Sequence, residues 1–210
     1  MAIKAVIFDY GMVLTAEPDA AAYAEMLLIT GLTREQFEPL YWADRHAYDE
    51  GKLTGIAFWQ KFIHDAGLAL DARAVAELNR ADARYWTTEN TRMVRWQAKL
   101  KLAGIKTAIL SNMGDNVLES LLAAFPWVQN FDWCTWSFQL GMAKPDPRIY
   151  EYTLAALGAK AEETLFIDDR GVNVEAARKL GMNALRFTTV ENLVHELHAS
   201  GFSQSIPSPQ

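Results

Sequence analysis

Apolar residues form four short, continuous runs along the chain, and a weaker fifth run accompanies them. The four cover residues 4–8, 106–110, 164–167 and 183–187, and the weaker one covers 131–136. Strands that are covered by helices on both faces carry unbroken apolar stretches instead of alternating polar and apolar positions. The runs therefore predict a parallel β-sheet between two layers of helices.

Segments in which apolar residues have helical spacing lie between these runs. They cover residues 91–103, 148–157 and 172–180. A glycine follows each segment, as is common after the last turn of a helix. The alternation of strands and helices predicts an α/β fold with a doubly wound, Rossmann-like, mostly parallel sheet.

The stretch at residues 16–88 carries helical patterns only. These cover residues 20–29, 33–42, 54–66 and 71–86. Such a stretch after the first strand predicts an inserted, all-helical cap domain. We therefore expect a core of residues 1–15 and 89–203, a cap of residues 16–88, and a flexible tail at 204–210, where serine and proline dominate.

Charge and composition exclude several classes of protein. Lys and Arg number 20 against 26 Asp and Glu, and the formal net charge of −6 is a poor match for nucleic acid or an anionic membrane. No apolar stretch is long enough to cross a bilayer, and the N-terminal residues do not read as a signal peptide. The single cysteine, Cys134, fits a reducing compartment, so we expect a cytoplasmic protein. The sequence leaves open whether the protein is a monomer or a homodimer.

Polar residues follow directly on three of the predicted strands. Asp9 follows the first, Ser111 the second, and Asp168 and Asp169 the third, while Lys144 precedes the helical segment at 148–157. Ligands of doubly wound sheets bind outside the carboxyl ends of the strands. We therefore expect one crevice that holds three carboxylates, a hydroxyl and an ammonium group.

This set of groups suits phosphoryl transfer. Clustered carboxylates repel one another and attract a hard cation, Mg²⁺ before Ca²⁺. A carboxylate such as Asp9 can attack phosphorus and form an aspartyl-phosphate, which divides one difficult step into two. Ser111 and Lys144 would bind the phosphate oxygens and stabilise their charge.

Four motifs in order then resemble the haloacid dehalogenase (HAD) superfamily. They read FDYGMVL at 8–14, LSN at 110–112, GMAKP at 141–145 and FIDD at 166–169, with Asn173 close behind. The helical insertion after the first motif is similar to the C1-type cap of that superfamily. The segments at 140–150 and 168–177 resemble one branch in particular, which includes α-glucose-1-phosphate phosphatases and the N-terminal half of soluble epoxide hydrolase.

The resemblance implies a nucleophile and a metal site. Asp9 would be the nucleophile and a Mg²⁺ ligand, and the backbone carbonyl of Gly11 would be another ligand. Asp169 would bind the metal directly, and Asp168 would bind it directly or through water.

The resemblance also implies a phosphate site. Ser111 and the backbone N–H of Asn112 would bind phosphate, and Lys144 would pair with both phosphate and Asp9. Asn173 would support the metal ligands from behind. The implied substrate is a small phosphorylated metabolite, with sugar phosphates among the candidates.

One position departs from the motif of most phosphatases in this superfamily. Gly11 stands where they carry an aspartate that protonates the leaving oxygen and then activates water, and such a group typically contributes about 10²–10⁴-fold. Three interpretations follow: a phosphatase with another proton source, a 2-haloacid dehalogenase, whose halide needs no proton, or a catalytically weak phosphate-binding protein. The tandem Asp168–Asp169 favours the phosphatase over the dehalogenase.

The cap offers candidates for the missing proton donor and for specificity. Residues 45–51 contain its densest group of polar side chains and are our first candidate for both roles, although a solvated helix end is an equally good interpretation. Trp42, Trp59 and Trp86 also lie in the cap helices. We expect them to fill the cap core, with a substrate-lining role as the alternative.

Overall fold

One parallel sheet organises the chain, of which a computed structural model describes residues 2–209. Within this range the sheet has five strands in the order β3-β2-β1-β4-β5. The strands are β1 (Ala5–Phe8), β2 (Lys106–Ser111), β3 (Trp133–Trp136), β4 (Thr164–Asp168) and β5 (Asn183–Arg186). The predicted doubly wound α/β fold is confirmed, and the weaker apolar run becomes the edge strand β3.

The register of the central strands aligns their polar ends. Phe8 of β1 pairs with Ile109 of β2 on one side and with Ile167 of β4 on the other. The residues that come next in each strand are therefore level with one another. Asp9 therefore lies beside Asp168, and Ser111 lies one residue further along β2.

Core helices cover the sheet on both faces. On one face lie α6 (Thr91–Leu102), α7 (Asp115–Ala124) and α11 (Val190–Ala199); on the other lie α9 (Pro147–Leu157) and α10 (Gly171–Lys179). Successive residues of β1 supply the two cores alternately, because side chains of a strand point to opposite faces. Helix α7 was not predicted, although its apolar positions 117, 118, 121 and 122 have helical spacing.

The cap forms a second, separate hydrophobic core. Its helices are α1 (Ala20–Thr30), α2 (Arg34–Ala43), α3 (Arg45–Asp49), α4 (Gly55–Asp65) and α5 (Ala72–Tyr85). Two connecting segments run side by side between cap and core, and an isolated β-bridge between Thr15 and Glu89 joins them. All of these helices lie within the segment that the sequence assigned to the cap.

The three cap tryptophans do not share one environment. Trp59 is fully buried in the cap core, as expected. Trp42 is 52% exposed. Both Trp42 and Trp86 line a cavity of about 520 Å³ between the cap and the core. The prediction that all three fill the cap core is therefore right for Trp59 and wrong for the other two.

The predicted flexible tail packs against the core over its described residues, 204–209, whereas Gln210 lies outside the described residues. The side chain of Ile206 is buried in the core, and the carbonyl of Pro207 accepts a hydrogen bond of 2.6 Å from Trp96 Nε1. A buried indole N–H needs an acceptor, and this segment supplies one. The polar composition of the tail hid that anchoring role.

Candidate active site

Three carboxylates converge at the carboxyl edge of the sheet. Asp9 follows β1, Asp168 ends β4, and Asp169 comes next in the chain. One oxygen of each lies within 4.8 Å of the others. Asp9 is additionally fixed by the backbone N–H of Tyr10, which donates a hydrogen bond of 2.7 Å to its Oδ1.

Lys144 reaches this cluster from the loop between α8 (Ser137–Leu140) and α9. Its Nζ lies 2.8 Å from Asp9 Oδ1 and 2.7 Å from Asp168 Oδ2, and the side chain is almost completely buried. Asn112 holds the backbone of the same residue, because its side chain donates to Lys144 O at 2.9 Å and accepts from Lys144 N at 2.8 Å. The loop continues through a cis peptide bond to Pro145.

Asp168 and Asp169 differ in how their oxygens are used. Asn173 Nδ2 lies 3.0 Å from both oxygens of Asp168, the backbone N–H of Arg170 donates to it at 2.8 Å, and Lys144 occupies the remaining direction. Asp169 forms no ion pair with any described residue, and it lines the cavity. Asp168 is therefore committed to the protein, while Asp169 is available to a ligand.

The charges of this cluster do not balance. Three carboxylates face one ammonium group, which leaves a net charge of −2 when all are ionised. Burial raises the pKa of Asp9 from 3.8 to about 8; Lys144 opposes this rise, and Asp168 and Asp169 add to it. Burial, and then Asp168, also raises the pKa of Asp169. The cluster therefore favours any ligand that brings about two positive charges.

Gly11 lies in the turn that follows Asp9. Its backbone has φ −62° and ψ 132°, which any residue can adopt. A Cβ built on it would meet only Trp86 among the described residues, at an ordinary contact distance of 3.7 Å. The fold therefore does not require glycine here, and a Cβ at this position would fit without a clash.

A cavity of about 520 Å³ separates this cluster from the cap. The predicted site residues Asp9, Gly11, Ser111, Asn112, Lys144, Asp169 and Asn173 all line it, and Asp168 lies beneath them. Ser111 ends β2 and is buried, with its hydroxyl 3.4 Å from Asn112 O. The structure thus brings all eight predicted residues together.

The cap closes the other side of this cavity with aromatic and charged residues. Its contributions are Glu17, Pro18, Trp42, Arg45, Asp49, Tyr85 and Trp86. Two of these, Arg45 and Asp49, belong to the segment 45–51 that the sequence singled out. One side of that segment therefore faces the cavity, whereas His46 and Gly51 are exposed to solvent.

Arg45 is held by partners that sequence reasoning missed. Its Nη1 donates to Tyr41 Oη at 2.6 Å and to Asp82 Oδ1 at 3.1 Å, and its Nε donates to Asp49 Oδ1 at 3.2 Å. Asp82 is fully buried on the apolar face of α5. An acidic residue at an apolar helical position is the signal that could have revealed it.

The fold and the site together define a hydrolase whose doubly wound α/β core carries a helical cap. The family model for haloacid dehalogenase-like hydrolases matches residues 3–181, so the chain belongs to that family. It is 31% identical over 198 residues to phosphatase MT3486 of Mycobacterium tuberculosis, covering 88% of this chain and 87% of that protein.

Two other relatives have different activities. Bifunctional epoxide hydrolase 2 of Rattus norvegicus is 36% identical over 112 residues, which are 51% of this chain and only 20% of that protein. The chain thus spans about a fifth of that relative's length. (S)-2-haloacid dehalogenase 1 of a Pseudomonas strain is 27% identical over 90% of this chain and 86% of its own.

A solved structure confirms the fold. A HAD family enzyme of Bacteroides thetaiotaomicron, in complex with magnesium and inorganic phosphate, gives a TM-score of 0.75 at 23% identity, over 89% of this chain and 94% of that one. Separately, no helix within residues 2–209 combines the length and apolar character that crossing a bilayer requires.

Proposed function

We propose that this protein is a Mg²⁺-dependent phosphatase that hydrolyses a small phosphorylated metabolite through an aspartyl-phosphate on Asp9. The observation that carries the proposal is the cluster of three carboxylates around one buried ammonium group, at the floor of the cavity between core and cap. A phosphatase relative that covers most of the chain supports it.

The donor set of this cluster fits a divalent cation. Carboxylate oxygens within 4.8 Å of one another, with a net charge of −2, suit a hard ion that prefers oxygen ligands. Asp9, Asp169 and the carbonyl of Gly11 would hold it, and Asp168 would act through water because Lys144 and Asn173 already engage its oxygens. Bound Mg²⁺ would supply the positive charge that a phosphate dianion needs beside carboxylates.

The protein's own groups would then carry out phosphoryl transfer. An oxygen of Asp9 attacks phosphorus in line with the leaving oxygen, and water later hydrolyses the acyl phosphate. Lys144, Ser111 and the backbone N–H of Asn112 hold the phosphate oxygens and stabilise their charge. Lys144 also favours the ionised form of Asp9, because it lowers the pKa that burial raises.

The cavity limits the size of the substrate. A volume of about 520 Å³ suits a small metabolite, and the cap would exclude bulk water during the reaction. The indole rings of Trp42 and Trp86 provide flat apolar surfaces beside the polar groups. A phosphorylated sugar, whose ring offers both apolar and hydroxyl faces, is compatible with that lining.

The test is turnover of p-nitrophenyl phosphate with excess Mg²⁺ and with EDTA, followed by a panel of phosphorylated metabolites. We expect turnover that EDTA abolishes, and no turnover by Asp9→Asn. Asp65→Asn, which changes a carboxylate on the outer surface of the cap, is the matched control and should behave like the unchanged protein. Unchanged turnover by Asp9→Asn would exclude Asp9 as the nucleophile.

A second candidate is a 2-haloacid dehalogenase. The full-length dehalogenase relative and the glycine at position 11 favour it, since halide leaves without a proton. Release of chloride from 2-chloropropionate in the presence of EDTA would establish this activity. If inorganic phosphate raised the melting temperature and neither assay showed turnover, the protein would instead be a phosphate-binding member of the family.

A further inference from the structure

Hydrolysis of a phosphate ester requires a proton for the leaving oxygen, and Gly11 cannot supply one. We propose that Asp49 of the cap is the acid and base of this reaction, an inference that rests on the proposed phosphatase function. Among the described residues, the carboxyl groups that line the cavity are Asp9, Asp169, Glu17 and Asp49. The first two belong to the nucleophile and metal cluster, and Glu17 is exposed to solvent.

A series of contacts connects Asp49 to the space above Gly11. A side chain at position 11 would lie against Trp86, with its Cβ 3.7 Å from Trp86 Cζ3. The guanidinium carbon of Arg45 lies 5.6 Å from the centre of the Trp86 ring, and Arg45 Nε donates to Asp49 Oδ1 at 3.2 Å. Asp49 and Gly11 therefore line the same cavity and are connected through the side chains of Trp86 and Arg45.

The hydrogen bonds of Asp49 leave one oxygen for a substrate. Only Oδ1 accepts a hydrogen bond from the described residues, and Oδ2 accepts none. Arg45 is itself fixed by Tyr41 and Asp82, so its guanidinium has little freedom to follow Asp49. Asp49 is thus held from one side and open on the other, as a group that passes a proton to a ligand must be.

The surroundings of Asp49 favour its protonated form. Burial raises the pKa of Asp49 above its ordinary value; Arg45 opposes this rise, and Asp82, on helix α5, adds to it. His46, on the same helix as Asp49, is largely exposed and lowers the pKa as Arg45 does. A carboxyl group that keeps its proton nearer to neutral pH is a better donor to an alkoxide leaving group.

One hydroxyl links Asp49 to the phosphate-binding loop. Ser137 Oγ donates to the backbone carbonyl of Asp49 at 2.5 Å and accepts from the backbone N–H of Met113 at 2.9 Å. Met113 follows Asn112, whose backbone N–H would bind phosphate, and Ser137 is completely buried. Closure of the cap on this hydroxyl would therefore position Asp49 and the phosphate site together.

The proposed steps balance as follows. Asp9 Oδ forms a bond to phosphorus while the bond from phosphorus to the ester oxygen breaks, and that oxygen takes the proton of the Asp49 carboxyl group. The alcohol leaves. Water then attacks the phosphorus of the acyl phosphate while the bond from phosphorus to Asp9 Oδ breaks, and Asp49 takes a proton from the water. This step releases inorganic phosphate, restores the Asp9 carboxylate and leaves Asp49 protonated again.

The experiment compares leaving groups in Asp49→Asn, which preserves size and an acceptor for Arg45. With alkyl phosphates, kcat/KM should fall by about 10²–10⁴-fold, whereas p-nitrophenyl phosphate, whose leaving group needs no proton, should lose less than about tenfold. Gly11→Asp in the Asp49→Asn background should restore much of the alkyl phosphate activity, since position 11 lines the same cavity and accepts a Cβ without a clash. Asp65→Asn, on the outer surface of the cap, is the matched control and should affect neither substrate. Glu17→Gln tests the other cap carboxylate and should not lower alkyl phosphate turnover selectively.

Several results would overturn the assignment. These are equal losses on both types of substrate, no loss on either, or a selective loss in Glu17→Gln instead. Melting curves and Mg²⁺ titration of Asp49→Asn, which should match those of the unchanged protein, separate a folding defect from a chemical one. Failure of the phosphatase proposal would be distinct, because the unchanged protein would then turn over neither phosphate ester.

Discussion

Replacement of Lys144 by methionine tests the electrostatics of the site. The side chain is buried, and its Nζ lies 2.8 Å from Asp9 Oδ1 and 2.7 Å from Asp168 Oδ2. At an effective dielectric constant of about 20, each attraction amounts to roughly 6 kcal/mol, and the cost of burying the ammonium group offsets much of that sum. Methionine has a similar length but removes the positive charge that faces the buried carboxylates, and loss of one partner of a buried ion pair typically costs about 3–5 kcal/mol.

The assay is urea denaturation in EDTA at pH 8, with Lys4→Met as the matched control. Lys4 pairs with Glu163 at 2.6 Å on the surface, where such pairs contribute about 0–1 kcal/mol. We expect Lys144→Met to lower the free energy of unfolding by several kcal/mol more than Lys4→Met. A difference below about 1 kcal/mol between the two variants would refute the electrostatic account of the site.

The same variants give a pH test with a definite sign. The pKa of Asp9 is already raised by burial in the folded protein, and loss of the nearby cation raises it further. A carboxyl group with a raised pKa in the folded state favours folding at low pH and loses that contribution as pH rises through its folded pKa. The deficit of Lys144→Met should therefore be smaller at pH 5 than at pH 8. An equal deficit at both values would contradict this reasoning.

Two further predictions concern the metal and the cap. In EDTA, the contribution of Asp9 to stability should fall as pH rises from about 4 towards about 8, because its carboxyl group then ionises in a buried position. Excess Mg²⁺ should therefore raise the melting temperature more at pH 8 than at pH 5, and an equal increase would count against a metal at Asp9. Gly51 has φ +73°, and a Cβ there would lie 2.4 Å from Phe138 O, whereas at Gly31, with φ +66°, a Cβ would meet no described atom within 4 Å. Gly31→Ala should therefore lower the free energy of unfolding only by the strain of a left-handed residue, about 1–2 kcal/mol. Gly51→Ala should lower it distinctly more in urea denaturation. Similar losses in the two variants would show that Gly51 of the cap does not lie against Phe138.

Much of the core could be predicted because its signals are local. Unbroken apolar runs identified the strands, and the first polar residue after each run identified Asp9, Ser111 and Asp168. Parallel strands in register bring their carboxyl ends to one edge, so these residues had to meet. Their proximity follows from sequence and from the general geometry of sheets.

Other features had weak or misleading local signals. The tail at 204–209 looked disordered because its composition is polar, yet one isoleucine and one carbonyl anchor it. Asn112 was expected to contribute its backbone N–H, and only the structure shows that its side chain also fixes the backbone of Lys144. Such contacts join positions that are distant in the chain, and composition does not encode them.

The sequence by itself determined the sheet, the presence of a helical cap and the set of groups at the carboxyl edge. The tertiary structure decided which cap side chains face that edge: it selected Arg45, which Asp82 holds, and Asp49, which Arg45 holds. The physical reason is that helical periodicity shows which face of a helix is buried but does not show what covers that face. The cover depends on how the cap docks, which is set by side-chain packing and hydrogen bonds between distant segments, such as the link from Asp49 through Ser137.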